Sequence, residues 1–417
     1  MRIRVGMFFG GKSVEHEVSV ISAAQAAAAM DAEKYQVIPI YIGKNNEMYT
    51  GPDLLKTVCY RDLPALLARS RRVALVRDKG KVYLLRYPAK WFASPVIAQL
   101  DLAFPVVHGT NGEDGSLQGL FQLLGLPYVG SDVGASASGM DKWITKCLLQ
   151  GAGLPVLPGH CFQASAYFAD ADRVIRQLEE FHPYPLMVKP ANLGSSVGIS
   201  PAHDREELTD SIELASSFAD RLLVEPMLVG MREINCAVMG DMDGTEASAC
   251  EEPLSTGEIL SYQDKYQSGD GKKAAIAGTG GKAGAKGMES ALRKLPAELD
   301  KDKEDEIRAL AQDAFSALNC SGVARVDFLL DRDAGDKVYV NEVNTIPGSL
   351  SFYLWEAAGK PFSQLMDELV RLAMKRNRLH GKLIWSNEVN LLAGIAQGAK
   401  GIGGAKGGQG AQGAKRP

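Results

Sequence analysis

The stretch from Gly322 to Leu350, GVARVDFLLDRDAGDKVYVNEVNTIPGSL, constrains the fold more than any other part of the chain. Two runs, Val323–Leu330 and Lys337–Val343, flank a polar turn with Asp333 and Gly335, which predicts a β-hairpin. A hairpin symmetric about that turn sets Arg325 opposite Glu342, and Asp327 opposite Val340 and diagonal to Glu342. Side chains alternate along a strand, so Arg325, Asp327, Glu342 and Asn344 share one face. The other face collects Ala324, Val326, Phe328, Tyr339 and Val343 and belongs to a core.

Two carboxylates, an amide oxygen and a guanidinium on one patch suit magnesium, which usually takes one or two carboxylates plus substrate phosphates. Asp327, Glu342 and Asn344 are therefore the candidate ligands, with a glutamate able to bridge two ions. A solvated hairpin face carrying a surface Arg–Asp pair would show the same pattern. The exit from the hairpin favours the metal: Asn344-Thr345-Ile346-Pro347-Gly348 turns sharply, and the glycine amide can approach a ligand closely.

A chain of 417 residues is long enough for two or three domains, and 46% hydrophobic with 23% charged residues is ordinary for a globular protein. A net charge of −4 gives no basic field for nucleic acid or a membrane surface. No apolar run reaches the roughly 18 residues of a membrane span. The opening MRIRVGMFFGG reads as a first strand, not a secretion signal. Six scattered cysteines without a CxxC pair fit a reduced, cytoplasmic protein.

Over residues 1–130, Ile3–Phe9, Tyr35–Ile42 and Leu102–Val107 read as strands, and Val18–Met30 and Ser116–Leu124 as helices. The alternation predicts a parallel, doubly wound sheet, whose functional loops follow strand ends. Gly10–Glu17 and His108–Gly115 are such loops; the first lacks the spacing of a P-loop. Residues 131–227 offer a helix, Met140–Gln150, with Lys142 and with Lys146 as a plain surface charge. The strand Leu186–Pro190 carries Lys189 into Ala191–Gly198, a small-residue loop whose amides can drape over phosphates. Glu225 to Gly230 reads as a hinge whose backbone meets an adenine edge, with Glu233 near a ribose.

Residues 228–375 hold the strand Glu233–Gly240, a loop from about 254 to 299, the helix Asp302–Leu318, the hairpin and the helix Phe362–Lys375. A loop that long is a candidate lid, and Lys265 within it is the cation that closure on a triphosphate requires. The glycine-rich stretch 376–417 reads as a flexible tail.

Five blocks, GGKSVEHEVSVISA, HGTNGEDG, VKPANLGSSVG, YQDKY and RVDFLLD…VNEVNTIPG, stand in the order of one family. Over residues 1–375 the chain resembles the D-alanine–D-alanine ligases of the ATP-grasp superfamily. The resemblance implies an α/β chain with a Rossmann-like N-terminal domain (1–130), two ATP-grasp subdomains (131–227 and 228–375) and the flexible tail. It implies that ATP phosphorylates one D-alanine and that a second attacks the acyl phosphate, giving the dipeptide for peptidoglycan. Glu17 would bind the first D-alanine's ammonium, helped by His108, and join Ser195 and Tyr266 in a network. Lys142, Lys189, Ser196 and Lys265 would hold phosphates, Glu225, Met227 and Leu228 would frame adenine, and Glu233 the ribose. Asp327, Glu342 and Asn344 would bind two magnesium ions, with manganese as the alternative metal, while Arg325 and the Gly348 amide would stabilise an oxyanion. A homodimer is the family's common state.

One region departs from the pattern. Tyr353, followed by Leu354, stands where the commoner ligases place a serine that binds the second substrate's carboxylate. That substitution leaves D-serine open beside D-alanine as the second substrate. A nucleotide-binding regulatory protein without catalysis is the alternative from another class, against which every metal and phosphate position is filled.

Overall fold

The computed structural model describes residues 2–89, 91–92, 94–254 and 293–384. Residues Met1–Asn377 form one compact unit, and Arg378–Pro417 a second that is described only as far as Ile384. The first unit contains three sheets.

The first sheet has seven strands in the order β6-β5-β4-β3-β2-β1-β7. They are β1 (Ile3–Gly10), β2 (Tyr35–Ile42), β3 (Met48–Thr50), β4 (Arg71–Asp78), β5 (Lys81–Arg86), β6 (Val96–Leu100) and β7 (Leu102–Val106). Only β1 runs parallel to its neighbours β2 and β7, so the expected parallel sheet is confined to three strands. The rest is antiparallel. Lys79 and Gly80, both left-handed at φ 46° and 78°, supply the tight turn between β4 and β5. Along β1 the last six residues are all buried, as befits a strand covered on both faces. The helix His16–Ala29 follows β1, beginning two residues before the expected start.

The second sheet, β10-β9-β11-β8, is antiparallel and built from β8 (His160–Gln163), β9 (Leu186–Pro190), β10 (Ser200–Ala202) and β11 (Arg221–Pro226). The third has the order β14-β13-β12-β15-β16, with β12 (Arg232–Asp241), β13 (Gly244–Pro253), β14 (Arg293–Lys294), β15 (Gly322–Asp331) and β16 (Lys337–Asn344). Helix Lys301–Ala317 packs Ile307, Ala311 and Phe315 into this sheet's core, joined by Ala135 and Leu149. The expected helix Met140–Gln150 is two helices, Val133–Met140 and Lys142–Gly151. The break falls at Asp141, whose carboxylate caps the second by accepting from the Trp143 and Ile144 amides. Helix Phe362–His380 runs past the expected end at Lys375. The last part of the expected 254–299 loop is ordered, since Arg293–Lys294 pairs with β13.

The β15–β16 hairpin forms, but not in the symmetric register. Arg325 pairs with Asn344 and Asp327 faces Glu342, while Phe328 faces Val340. Asn341 is the extra residue of a β-bulge, which shifts the pairing by one beyond it. Val338, Val340 and Val343 therefore reach the core, while Tyr339 stays partly exposed beside Lys337.

Candidate active site

The polar face of the hairpin continues across the sheet. Glu251 on β13 pairs with Asn235 on β12, Asn235 with Asp327 on β15, and Asp327 with Glu342 on β16. Directly opposed residues share a face, so three carboxylates and an amide lie in one transverse row. Arg325, buried beside it, holds Asp327 through two hydrogen bonds of 2.6 and 2.7 Å. Asn344 donates to the same carboxylate at 3.0 Å. The expected grouping of Asp327, Glu342 and Asn344 is thus brought together.

A cleft whose space, open solvent included, is about 790 Å³ lies beside this row. Leu157, Met187, Ile199, Met231 and Leu329 line it with apolar surface, and Met227, Leu228 and Glu233 also stand on its wall. Lys142, Lys189, Ser196 and Glu342 line it too, so cations meet the carboxylate row there. A second recess, of about 450 Å³, is lined by Glu15, Glu113, Ser195, Asn344 and Thr345. Lys142 and Glu342 border both cavities, 3.7 Å apart. A cleft walled by apolar residues, lysines and carboxylates can take a nucleotide with its phosphates at the lysines. The recess beyond can take a small zwitterion.

Two oxygen-rich carboxylates and an amide are the donor set that magnesium accepts alongside phosphate oxygens, so the residues fit that ion. Among the described residues no three His, Cys, Asp or Glu side chains cluster as a self-sufficient cage. Magnesium sites completed by substrate phosphates do not require one.

The loop Ala191–Gly198 bends through Ser195 and Ser196, both left-handed at φ 58° and 56°. Such conformations cost about 1–3 kcal/mol each and persist where surroundings enforce them, commonly at ligand clamps. Ser195 Oγ donates to Glu15, which is 8% exposed and pinned by the start of helix His16–Ala29. This corrects the assignment to Glu17. One residue into the helix, Glu17 turns outward, its side chain 67% exposed, and pairs with Lys44 at 2.8 Å.

Lys146 is also corrected. Lys146 is 6% exposed, not a surface charge. Its ammonium lies 2.7 Å from Glu225, which also pairs with Lys189. Burial by itself pushes the Glu225 carboxyl up, but the two ammonium groups outweigh it and hold it below the usual range. The Glu225 side chain fixes Lys189, which also approaches Asn341 at 3.4 Å.

His108 is 2% exposed, with both ring nitrogens engaged inside the protein. Nδ1 donates to the Ile346 carbonyl at 2.8 Å, since a carbonyl can only accept, and Nε2 lies 3.2 Å from Ser22 Oγ. Burial pushes its pKa down and keeps it neutral. It holds the hairpin exit. Glu113, missed in the sequence, grips the same residue by accepting the Ile346 amide at 3.0 Å.

After Gly348 the chain makes a turn of left-handed residues, Ser349, Leu350 and Ser351, at φ 51°, 54° and 51°. All three are buried, and Ser349 is tied to Ser22 and Gln25. The turn delivers Tyr353 beside the row, where its hydroxyl donates to Glu251 at 3.1 Å. Leu354 points wholly into the core, so its side chain contacts no substrate. Glu251 and Arg293, which pair at 2.7 Å, were missed because nothing in their neighbourhood marks them. Lys265 and Tyr266 lie outside the described residues.

Comparisons with known proteins agree with this arrangement. Residues 4–131 match the family model of the D-ala D-ala ligase N-terminus, and residues 148–371 that of the C-terminus. The D-alanine--D-alanine ligase of Thermosipho melanesiensis is 36% identical over 390 residues, covering 94% of this chain and 98% of the relative. The D-alanine-D-alanine ligase structure from Coxiella burnetii superposes with a TM-score of 0.73 at 31% identity, over 91% of this chain and 96% of that one. The VanG D-Ala:D-Ser ligase from Enterococcus faecalis gives 0.71 at 29% identity, over 89% and 100%. The chain belongs to the D-alanine–D-alanine ligase family, with its ATP-grasp fold.

Proposed function

We propose that this chain is an ATP-dependent ligase that joins two D-alanines, through a D-alanyl phosphate, into the dipeptide used for peptidoglycan. The observation that carries the reading is the shared wall of Lys142 and Glu342, which joins a cleft lined by apolar residues and lysines to a small polar recess beside one carboxylate row. Adenine lies on Met227 and Leu228, with the ribose at Glu233. Lys142, Lys189 and Ser196 hold phosphates. Asp327, Glu342 and Asn344 hold two magnesium ions, or manganese. Bound divalent ions there neutralise charge on the transferring phosphoryl group.

Glu15, in place of Glu17, receives the first D-alanine's ammonium, with Ser195 aligned by its hydrogen bond to Glu15. Arg325 and the Gly348 amide face the oxyanion formed when the second amine attacks the acyl phosphate. Lys265 and Tyr266 keep the roles of phosphate ligand and network partner that the resemblance assigns them. The reading includes a cytoplasmic homodimer, and a division at 1–130, 131–227 and 228–375 that the one sheet within each stretch supports. Among the described residues no helix is long and apolar enough to cross a membrane.

Tyr353 favours one second reading, a ligase that takes D-serine in the second position, as the VanG neighbour's name states for that protein. ADP release with magnesium and ATP separates the two, using D-alanine alone and then with D-serine in competition, and weighing the product. Dialanine from D-alanine alone is the expected result. Preference for the mixed dipeptide would transfer the assignment to D-serine, and silence with both would sink it.

A further inference from the structure

The second amino acid must be held by its carboxylate if its amine is to face the acyl phosphate, and Tyr353 is not equipped to hold it. A phenol has a single proton to donate. That of Tyr353 goes to Glu251 Oε1 at 3.1 Å, inside a site where the tyrosine is 6% exposed. Its oxygen is left with acceptor capacity only, and a carboxylate is itself an acceptor.

The cation beside the ring is Arg293. Its guanidinium carbon stands 4.1 Å from the centre of the Tyr353 ring, and its Nη1 donates to Glu251 Oε2 at 2.7 Å. Glu251 thus uses one oxygen for Tyr353 and the other for Arg293, while Asn235 Nδ2 reaches the first at 3.2 Å. Arg293 and Glu251 are only 10% and 2% exposed. Burying such a pair generally brings no net stability over apolar residues of the same size, so its presence calls for another reason. Its position supplies one: Glu251 begins the row that ends at Asp327 and Glu342, so Arg293 sits at the far end of the strip from the phosphates. A planar guanidinium braced by a carboxylate and an aromatic face is suited to bind a second carboxylate.

We propose that Arg293 binds the carboxylate of the second amino acid, and that Glu251 is a positioning residue that orients Arg293 and Tyr353. The proposal rests on the ligase reading above.

Hydroxylamine tests it, because this nucleophile attacks an acyl phosphate without a carboxylate of its own. It releases phosphate and leaves a D-alanyl hydroxamate. Arg293→Met should raise the KM for the second D-alanine by about 10- to 100-fold, the worth of one charge-assisted hydrogen bond. The ratio of hydroxamate to dipeptide formed should rise by a similar factor, and Arg293→Lys should recover part of the loss. Glu251→Gln should shift the same KM and ratio less. If Arg293→Met unfolds because Glu251 is left unpaired, the double variant Arg293→Met/Glu251→Gln removes both charges and should give the same rise in ratio. An unchanged KM, or dipeptide and hydroxamate falling together, would overturn the proposal. A wild-type chain that forms neither product would remove the ligase reading and this proposal with it.

Discussion

Glu113 accepts the backbone amide of Ile346, 233 residues away, at 3.0 Å, and so fastens the loop after β7 to the exit of the β15–β16 hairpin. The Gly109 amide donates to its other oxygen at 2.8 Å. Burial first, and the charge of Glu15 second, push the Glu113 carboxyl up to about 8. Its ordinary value is 4.5, so between the two the folded chain binds more protons than the unfolded one. Stability from this group is complete below the lower value and is lost as pH rises through the upper. Glu113→Gln should therefore gain thermal stability relative to wild type between pH 5 and pH 9. Parallel melting curves across that range would contradict the pKa of this group.

Glu15 and Glu17 can be told apart by paired substitutions. Glu15→Gln, which weakens the contact with Ser195, should cut kcat/KM for the first D-alanine by about 10²-fold, near the value of a charged partner. Glu17→Gln should leave it within about threefold, because an exposed pair with Lys44 contributes little. The reverse ranking in steady-state kinetics would restore Glu17 to the site.

Arg325→Ala should lower kcat by about 10²- to 10³-fold, the loss typical of one oxyanion donor. It also strands the buried Asp327 carboxylate, at a cost of about 3–5 kcal/mol. Magnesium should recover much of that stability, since a bound cation replaces the missing guanidinium. Thermal melts with and without magnesium check this, and an Asp327 indifferent to the ion would argue against its role as a ligand.

Lys146→Met should destabilise the fold by about 3–5 kcal/mol in denaturant titrations, because Glu225 loses one of two buried partners. ATP affinity should fall as well, through Lys189, whose position depends on the same carboxylate. A variant as stable as wild type would show that Lys146 is the surface charge its sequence context suggested.

The strands and most helices could be read in advance because they follow simple periods, and the polar face of the β15–β16 hairpin with them. The hairpin register could not be read from a symmetric turn, although a trace of the bulge was present. Val338 and Val340 are two apart and Val343 follows after three, which breaks the alternation at Asn341. Lys146 carried a similar trace, one helical turn from Lys142 and so on nearly the same side of its helix. Glu15 and Glu17 differ only in which side of a helix start they occupy, and a one-residue shift in that boundary exchanges their surroundings. Glu251 and Arg293 meet Tyr353 only through tertiary packing, and no local pattern foretells that.

The row from Glu251 to Glu342 also bears on how this sequence can change over generations. Its four members come from four strands, and their opposite faces feed the core through Ile234, Cys236, Val326 and Val343. Deleting a single residue from β12 or β15 would rotate polar groups into the apolar side and valines into the clefts together. Side chains there can be exchanged one at a time, but the spacing between them is inherited whole. Changes of length are left to the turns at the strand ends.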